Sequence, residues 1–181
     1  MQAIKILAIS ALTLGLLACG DRTASTSGST TTSSNADVKA IAFVDTQESK
    51  PLVIDTKLFD TPESKEFLAT GKNPYIGNAD AQAKGRKVFL MYSCSQCHGP
   101  GGTGQTGPSI VDENWQYPKH VTDKGMFETI WHGTNNGMGA KGRGLMVEGD
   151  NETGFDVNEL LQLIAWFRLN YKGTGEKPWL Q

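Results

Sequence analysis

The sequence predicts an all-α domain, and three observations carry the prediction. Apolar residues recur at three–four spacing in separate stretches near residues 79–92, 126–132 and 156–171. Several of these stretches open on a capping residue, and glycine follows where the periodicity stops. No strand-rich stretch and no internal repeat interrupts them.

The helices follow in order. Thr61 caps a short helix with Pro62 at its first position, and Gly71 ends it. Asn78 caps the next helix, which runs to about Tyr92 with Gly85, Val88, Phe89 and Tyr92 on one face. A mid-helix glycine costs about 1 kcal/mol relative to alanine, so Gly85 marks a close helix–helix contact. Met126 to His132 forms a third helix with Met126, Phe127, Ile130 and Trp131 as its apolar side. Asp156-Val157-Asn158-Glu159 has the spacing of a capping box and opens the last helix. That helix carries Leu160, Leu163, Ile164, Phe167 and Tyr171 on its stripe, and Gly173 stops it.

Between the helices lies the most specific signal in the chain, Cys94-Ser95-Gln96-Cys97-His98. C-x-x-C-H is the attachment signal for a c-type haem. Two thiols one helical turn apart can add to the two vinyl groups of one porphyrin. The histidine directly after them falls under the iron as proximal ligand. A bare CxxC also serves redox dithiols and zinc sites. The dithiol wants a βαβ pattern, and zinc wants a second ligand pair; neither is present. One covalent haem c is therefore expected on Cys94, Cys97 and His98.

The iron then has a sixth position to fill. Met91, Met126, Met138, Met146, His120 and His132 are the available side chains. Met91 is too near the motif to reach the far face, and Met126 reads as core. Met138 comes forty residues after His98 (138 − 98 = 40), in a glycine-rich loop from Gly133 to Gly144. Its small neighbours let backbone approach a porphyrin. Met138 is the first choice; Met146, His132 and an open site are the alternatives. A proximal histidine commonly donates its other ring N–H to a carbonyl. The Gly107-Pro108 turn could present that carbonyl, or be a plain loop turn.

The N-terminal part reads differently. Residues 1–18 form a signal peptide: Lys5 precedes an apolar run from Ile6 to Ala18 that is too short to span a bilayer. It ends Leu16-Leu17-Ala18-Cys19, which resembles a lipoprotein lipobox with Cys19 as the acylated residue. An ordinary secretory signal is the alternative. Residues 19–36 are Ser/Thr-rich and cannot bury enough apolar surface to fold, so they read as a tether from a membrane anchor. Residues 37–74 form an N-terminal extension packing on the haem domain of residues 75–181. Val53, Ile54, Leu58 and Phe59 are its candidate contact residues, in an extended segment. A formal net charge of −2 does not suggest a nucleic-acid partner.

In order, Gly85-Arg86-Lys87-Val88-Phe89, Cys94–His98, Gly107-Pro108, a methionine loop and Leu163-Ile164-Ala165-Trp166 resemble a class I cytochrome c. The resemblance implies that the first and last helices cross, with Gly85 and Phe89 meeting Leu163 and Trp166. Many members place proline soon after the ligand methionine; Met138-Gly139-Ala140 does not. Gly71-Lys72-Asn73-Pro74-Tyr75, Asn114-Trp115-Gln116-Tyr117-Pro118, Thr122-Asp123-Lys124-Gly125 and Thr129-Ile130-Trp131 are similar to cytochrome c-L. That family implies a periplasmic single-electron carrier, not an enzyme. Its donor would be a methanol or alcohol dehydrogenase carrying pyrroloquinoline quinone, including the lanthanide-dependent type. Its acceptor would be a downstream cytochrome c or oxidase. Trp115 and Tyr117 become candidates to donate to haem propionates, or else to pack in the core. Some relatives hold calcium near a propionate, and the sequence points to no ligands for it. A lipobox departs from the usual soluble relative. Two other functions fit the haem motif: a carrier for another dehydrogenase or oxidase, and a haem sensor or enzyme with an open sixth site.

Overall fold

Two crossed helices organise the chain. The computed structural model describes residues 40–181; the signal peptide, Cys19 and the tether lie outside the described residues. Helices α1 (Pro62–Thr70), α2 (Ala79–Met91), α3 (Ser95–His98), α4 (Asp123–His132) and α5 (Val157–Leu169) follow in order. Asn78 accepts the Ala81 N–H and starts α2. Asp156 and Glu159 exchange side-chain and backbone hydrogen bonds of 2.8 and 3.1 Å and start α5. The helices meet backbone to backbone at Gly85, where a Cβ would stand 2.0 Å from the Gln162 carbonyl oxygen. Phe89 then packs against Trp166 at 4.7 Å between ring centroids. Leu160, Leu161, Leu163 and Ile164 are buried beneath the crossing.

Thr61 and Ser64 form the capping box of α1, and Gly71 closes it at φ 72°, in the left-handed region. Helix α4 begins three residues before the expected Met126, because Thr122 caps it by accepting the Gly125 N–H. The apolar stripe marks where burial starts, not where the backbone turns. Helix α5 ends at Leu169 rather than at Gly173: the Asn170 N–H and side chain bond back to the Trp166 carbonyl. Tyr171 has therefore left the helix, and it stacks on Trp115 at 5.7 Å.

Residues 40–60 hold a small antiparallel sheet that the sequence did not announce. Strands β1 (Phe43–Val44) and β2 (Pro51–Leu52) pair Phe43 with Leu52 and Val44 with Pro51. Two-residue strands leave no alternation to read. The turn between them is built on Asp45, whose carboxylate accepts the N–H groups of Gln47, Glu48 and Lys50. These bonds, led by that from Glu48, hold its pKa below the ordinary carboxylate value. Phe43 and Phe59 join Phe67 and Phe127 in one aromatic cluster. Val53, expected to pack, is 91% exposed instead, because it follows β2 on the outer side.

Candidate metal centre

Helix α2 stops at Tyr92, and Ser93 takes a left-handed φ of 56°, which turns the chain into the single turn of α3. That turn is closed by the His98 N–H on the Cys94 carbonyl at 2.9 Å. The chain after it folds straight back. The Gly104 N–H reaches the His98 carbonyl and the Gly107 N–H reaches the Cys97 carbonyl, both at 2.8 Å. The return brings the Pro108 carbonyl to 2.7 Å from His98 Nδ1. A carbonyl only accepts, so Nδ1 carries the proton and Nε2 keeps its lone pair.

A cavity of about 320 Å³ opens beside this turn, with Cys94, Cys97, His98 and Met138 on its lining. A second, of about 300 Å³, shares His98, Met126 and Met138 and adds Trp115 and Tyr117. The two form one cleft, apolar on the side of Phe155, Leu163 and Phe167. Burial pushes the Cys94 thiol pKa up, against the pull of Lys141.

Met138 is held by backbone on both sides. The Thr134 N–H donates to its carbonyl at 2.8 Å, and the N–H groups of Lys141 and Gly142 return to the end of α4. The rivals stand elsewhere. Met91 is 66% exposed. Met146 and His132 do not line the cleft. Met146 lies beside the Val147–Asp150 bridge, and His132 Nδ1 is buried with no partner among the described residues. Met126 is both core and cleft wall. Trp115 lines the cleft and stacks on Tyr171. The Tyr117 hydroxyl accepts from Asn136 Nδ2 at 3.0 Å, two residues before Met138.

One cleft residue entered the sequence reading only as an available side chain for the sixth position. His120 lines both compartments, and its Nε2 stands 2.8 Å from Thr129 Oγ1. Burial, with help from Lys119 and Arg168, lowers its pKa to about 4. Nothing in the local sequence separates it from a surface histidine. Among the described residues, no three His, Cys, Asp or Glu side chains converge on a common point.

A family model described as cytochrome c oxidase, cbb3-type, subunit III, matches residues 80–152. The crystal structure of cytochrome cL from the marine methylotroph Methylophaga aminisulfidivorans MPT superposes with a TM-score of 0.66 and 32% identity, over 78% of this chain and 89% of that one. Cytochrome cL from Hyphomicrobium denitrificans gives 0.64 and 36%, over 78% and 81%. The chain belongs to the cytochrome c-L family. The curated cytochrome c-L of Methylorubrum extorquens AM1 is 40% identical over 122 residues, 67% of this chain, and the match spans 56% of that relative. Membership of the cytochrome c-L family implies a covalent haem c. The cleft fits one: two thiols a turn apart, an imidazole nitrogen with a free lone pair, a thioether and apolar walls converge on it. Among the described residues, no helix of this cytochrome c-L homologue is long and apolar enough to cross a membrane.

Proposed function

We propose that this protein is a periplasmic single-electron carrier. It takes electrons from a methanol or alcohol dehydrogenase that carries pyrroloquinoline quinone and passes them to a downstream cytochrome or oxidase. The observation that carries the reading is His98. Its Nδ1–H is committed to the Pro108 carbonyl, so Nε2 points its lone pair at a cleft that also holds Met138. When bound, haem supplies a one-electron Fe(III)/Fe(II) couple. Cys94 and Cys97 hold the porphyrin covalently. His98 Nε2 and the Met138 sulfur would be the protein ligands of its iron, leaving no site for substrate. The thioether favours ferrous iron and raises the potential, as an acceptor from a quinol-type donor requires. Trp115 and Tyr117 border the same cleft and are proposed contacts for the haem. Cys19 is proposed as the lipidated residue that tethers the carrier to a membrane.

The test is a redox titration of Met138→Ala and Met146→Ala with ferric spectra. Met138→Ala should lose the sulfur-to-iron band, lower the potential, bind carbon monoxide and slow stopped-flow reduction by the dehydrogenase. Met146→Ala should leave the band intact. Loss of the band in Met146→Ala alone moves the ligand to Met146.

A further inference from the structure

The segment before α1 reaches the cleft through a chain of polar groups. Lys119 Nζ stands 2.9 Å from the Val44 carbonyl, 3.1 Å from Thr46 Oγ1 and 2.9 Å from a carboxylate oxygen of Glu128. An ammonium has three hydrogens and accepts nothing, so all three are used and Thr46 Oγ1 is an acceptor toward Lys119. Among the described residues the acceptor within reach of the Thr46 hydroxyl hydrogen is Thr129 Oγ1, 2.7 Å off, and donation in that direction gives every hydroxyl hydrogen of the chain an acceptor. Thr129 is buried within α4, and its hydroxyl has two partners, Thr46 and His120 Nε2. Having accepted from Thr46, it donates to Nε2.

The direction set at Lys119 thus ends on the imidazole. Nε2 accepts, so the proton of neutral His120 sits on Nδ1. The depressed pKa of His120 agrees with a neutral ring. Nδ1 has no hydrogen-bond partner among the described residues, yet it is not a sealed, unsatisfied atom. It is the donor that His120 offers to the cleft. The compartment that His120 shares with Trp115 and Tyr117 is lined by neither cysteine. In a porphyrin held by thioethers at its vinyl edge, the two carboxylates lie on the opposite edge.

Resting on the haem reading above, we propose that His120 Nδ1–H donates to a haem carboxylate, and that Thr46 and Thr129 are positioning residues that hold it in that tautomer. The partner chemistry is an anionic carboxylate with no donor of its own. Withdrawing the hydrogen bond leaves that negative charge fully felt at the iron, which stabilises the ferric state. Thr46 therefore gives the N-terminal segment a hand in the potential.

The experiment uses the reduced holoprotein labelled with ¹⁵N. Imidazole ¹⁵N shifts report which nitrogen carries the proton, and a redox titration reports the potential. Retention of haem in acidified organic solvent is measured first, because its loss there overturns the haem reading and this inference together. With haem retained, wild type should show a protonated Nδ1. Thr129→Val should move the proton toward Nε2 and lower the potential, and Thr46→Val should do both to a lesser extent. Thr129→Ser should restore the wild-type pattern, and His120→Phe should lower the potential without a tautomer signal. A wild-type ring protonated at Nε2 overturns the inference while leaving the haem reading intact. So does an unchanged potential in both Thr129→Val and His120→Phe.

Discussion

Two irregular segments flank the crossed helices, and they are fastened in opposite ways. Residues 40–60 are held mainly by side chains, beside one main-chain bond from the Ile41 N–H to the Leu68 carbonyl. Phe43 and Phe59 enter the aromatic cluster, the Glu128 carboxylate accepts the Val44 N–H at 2.7 Å, and Lys119 caps the Val44 carbonyl. Glu128 is itself buried, and it is paired by Lys119 and Lys124. Residues 133–155 are held mainly by main chain, with Phe155 buried against Tyr92 at their end. The N–H groups of Lys141 and Gly142 bond to α4, Phe155 N–H bonds to the Lys141 carbonyl, and Gly144 N–H bonds to the Thr153 carbonyl. A segment fastened by side chains fails when one is shortened. A segment fastened by backbone fails when something is inserted against it.

The largest expected effect is therefore a truncation in the first segment. Phe43→Ala should cost about 3–5 kcal/mol in urea unfolding, because the ring lies 5.5 Å from Phe127 in a packed interior. A loss below about 1 kcal/mol would remove the aromatic cluster from the account of how this segment is held.

Next is pH. In the fold without haem, His120 has a pKa of about 4 against an ordinary 6.5, and a carboxylate on its Nδ1–H would narrow that gap. Between those values the unfolded chain binds a proton that the fold refuses. Stability is thus full above about pH 6.5 and falls as pH drops toward about 4, by up to about 3 kcal/mol. Urea midpoints of wild type and His120→Phe across that range isolate the contribution, and parallel curves would disprove it. Thr46 reaches the same histidine from the first segment through Thr129.

Gly142→Ala tests the second segment by insertion. A Cβ there would stand 2.4 Å from the buried Trp131 ring, so the variant should lose about 1–3 kcal/mol and weaken the sulfur-to-iron band by loosening Met138. The smallest effect should come from Leu145→Ala in the same segment, within about 0.5 kcal/mol, because that side chain is half exposed and the backbone does the holding. A larger loss would mean that side chains fasten this loop too.

What the sequence made legible was local. Thr61, Pro62 and Gly71 bracket α1, and Asp156 and Glu159 open α5, because caps act on backbone groups within four residues. Gly85 was readable because glycine inside a helix needs a reason, and the Gln162 backbone supplies it. The Pro108 carbonyl was readable from its spacing to His98, within one short loop. Thr122 was missed as a cap because the reading began from apolar Met126. The hairpin at Phe43–Leu52 was missed because its turn has no glycine; Ser49 takes φ 57° instead. His120 was missed as a cleft donor because its partners come from α4 and from Thr46, far away in sequence.

The crossing at Gly85 also has a consequence in time. It joins a helix that precedes the cysteines to one that begins sixty residues after Cys97 (157 − 97 = 60). Closing so long a loop is entropically slow. Until then Cys94 and Cys97 lie in open polypeptide, with no α5 beside them. On the proposed haem reading, that interval would let two thioether bonds form to a bulky porphyrin without prising a finished core apart. Late closure keeps the maturation window open, and α5 then locks the product in.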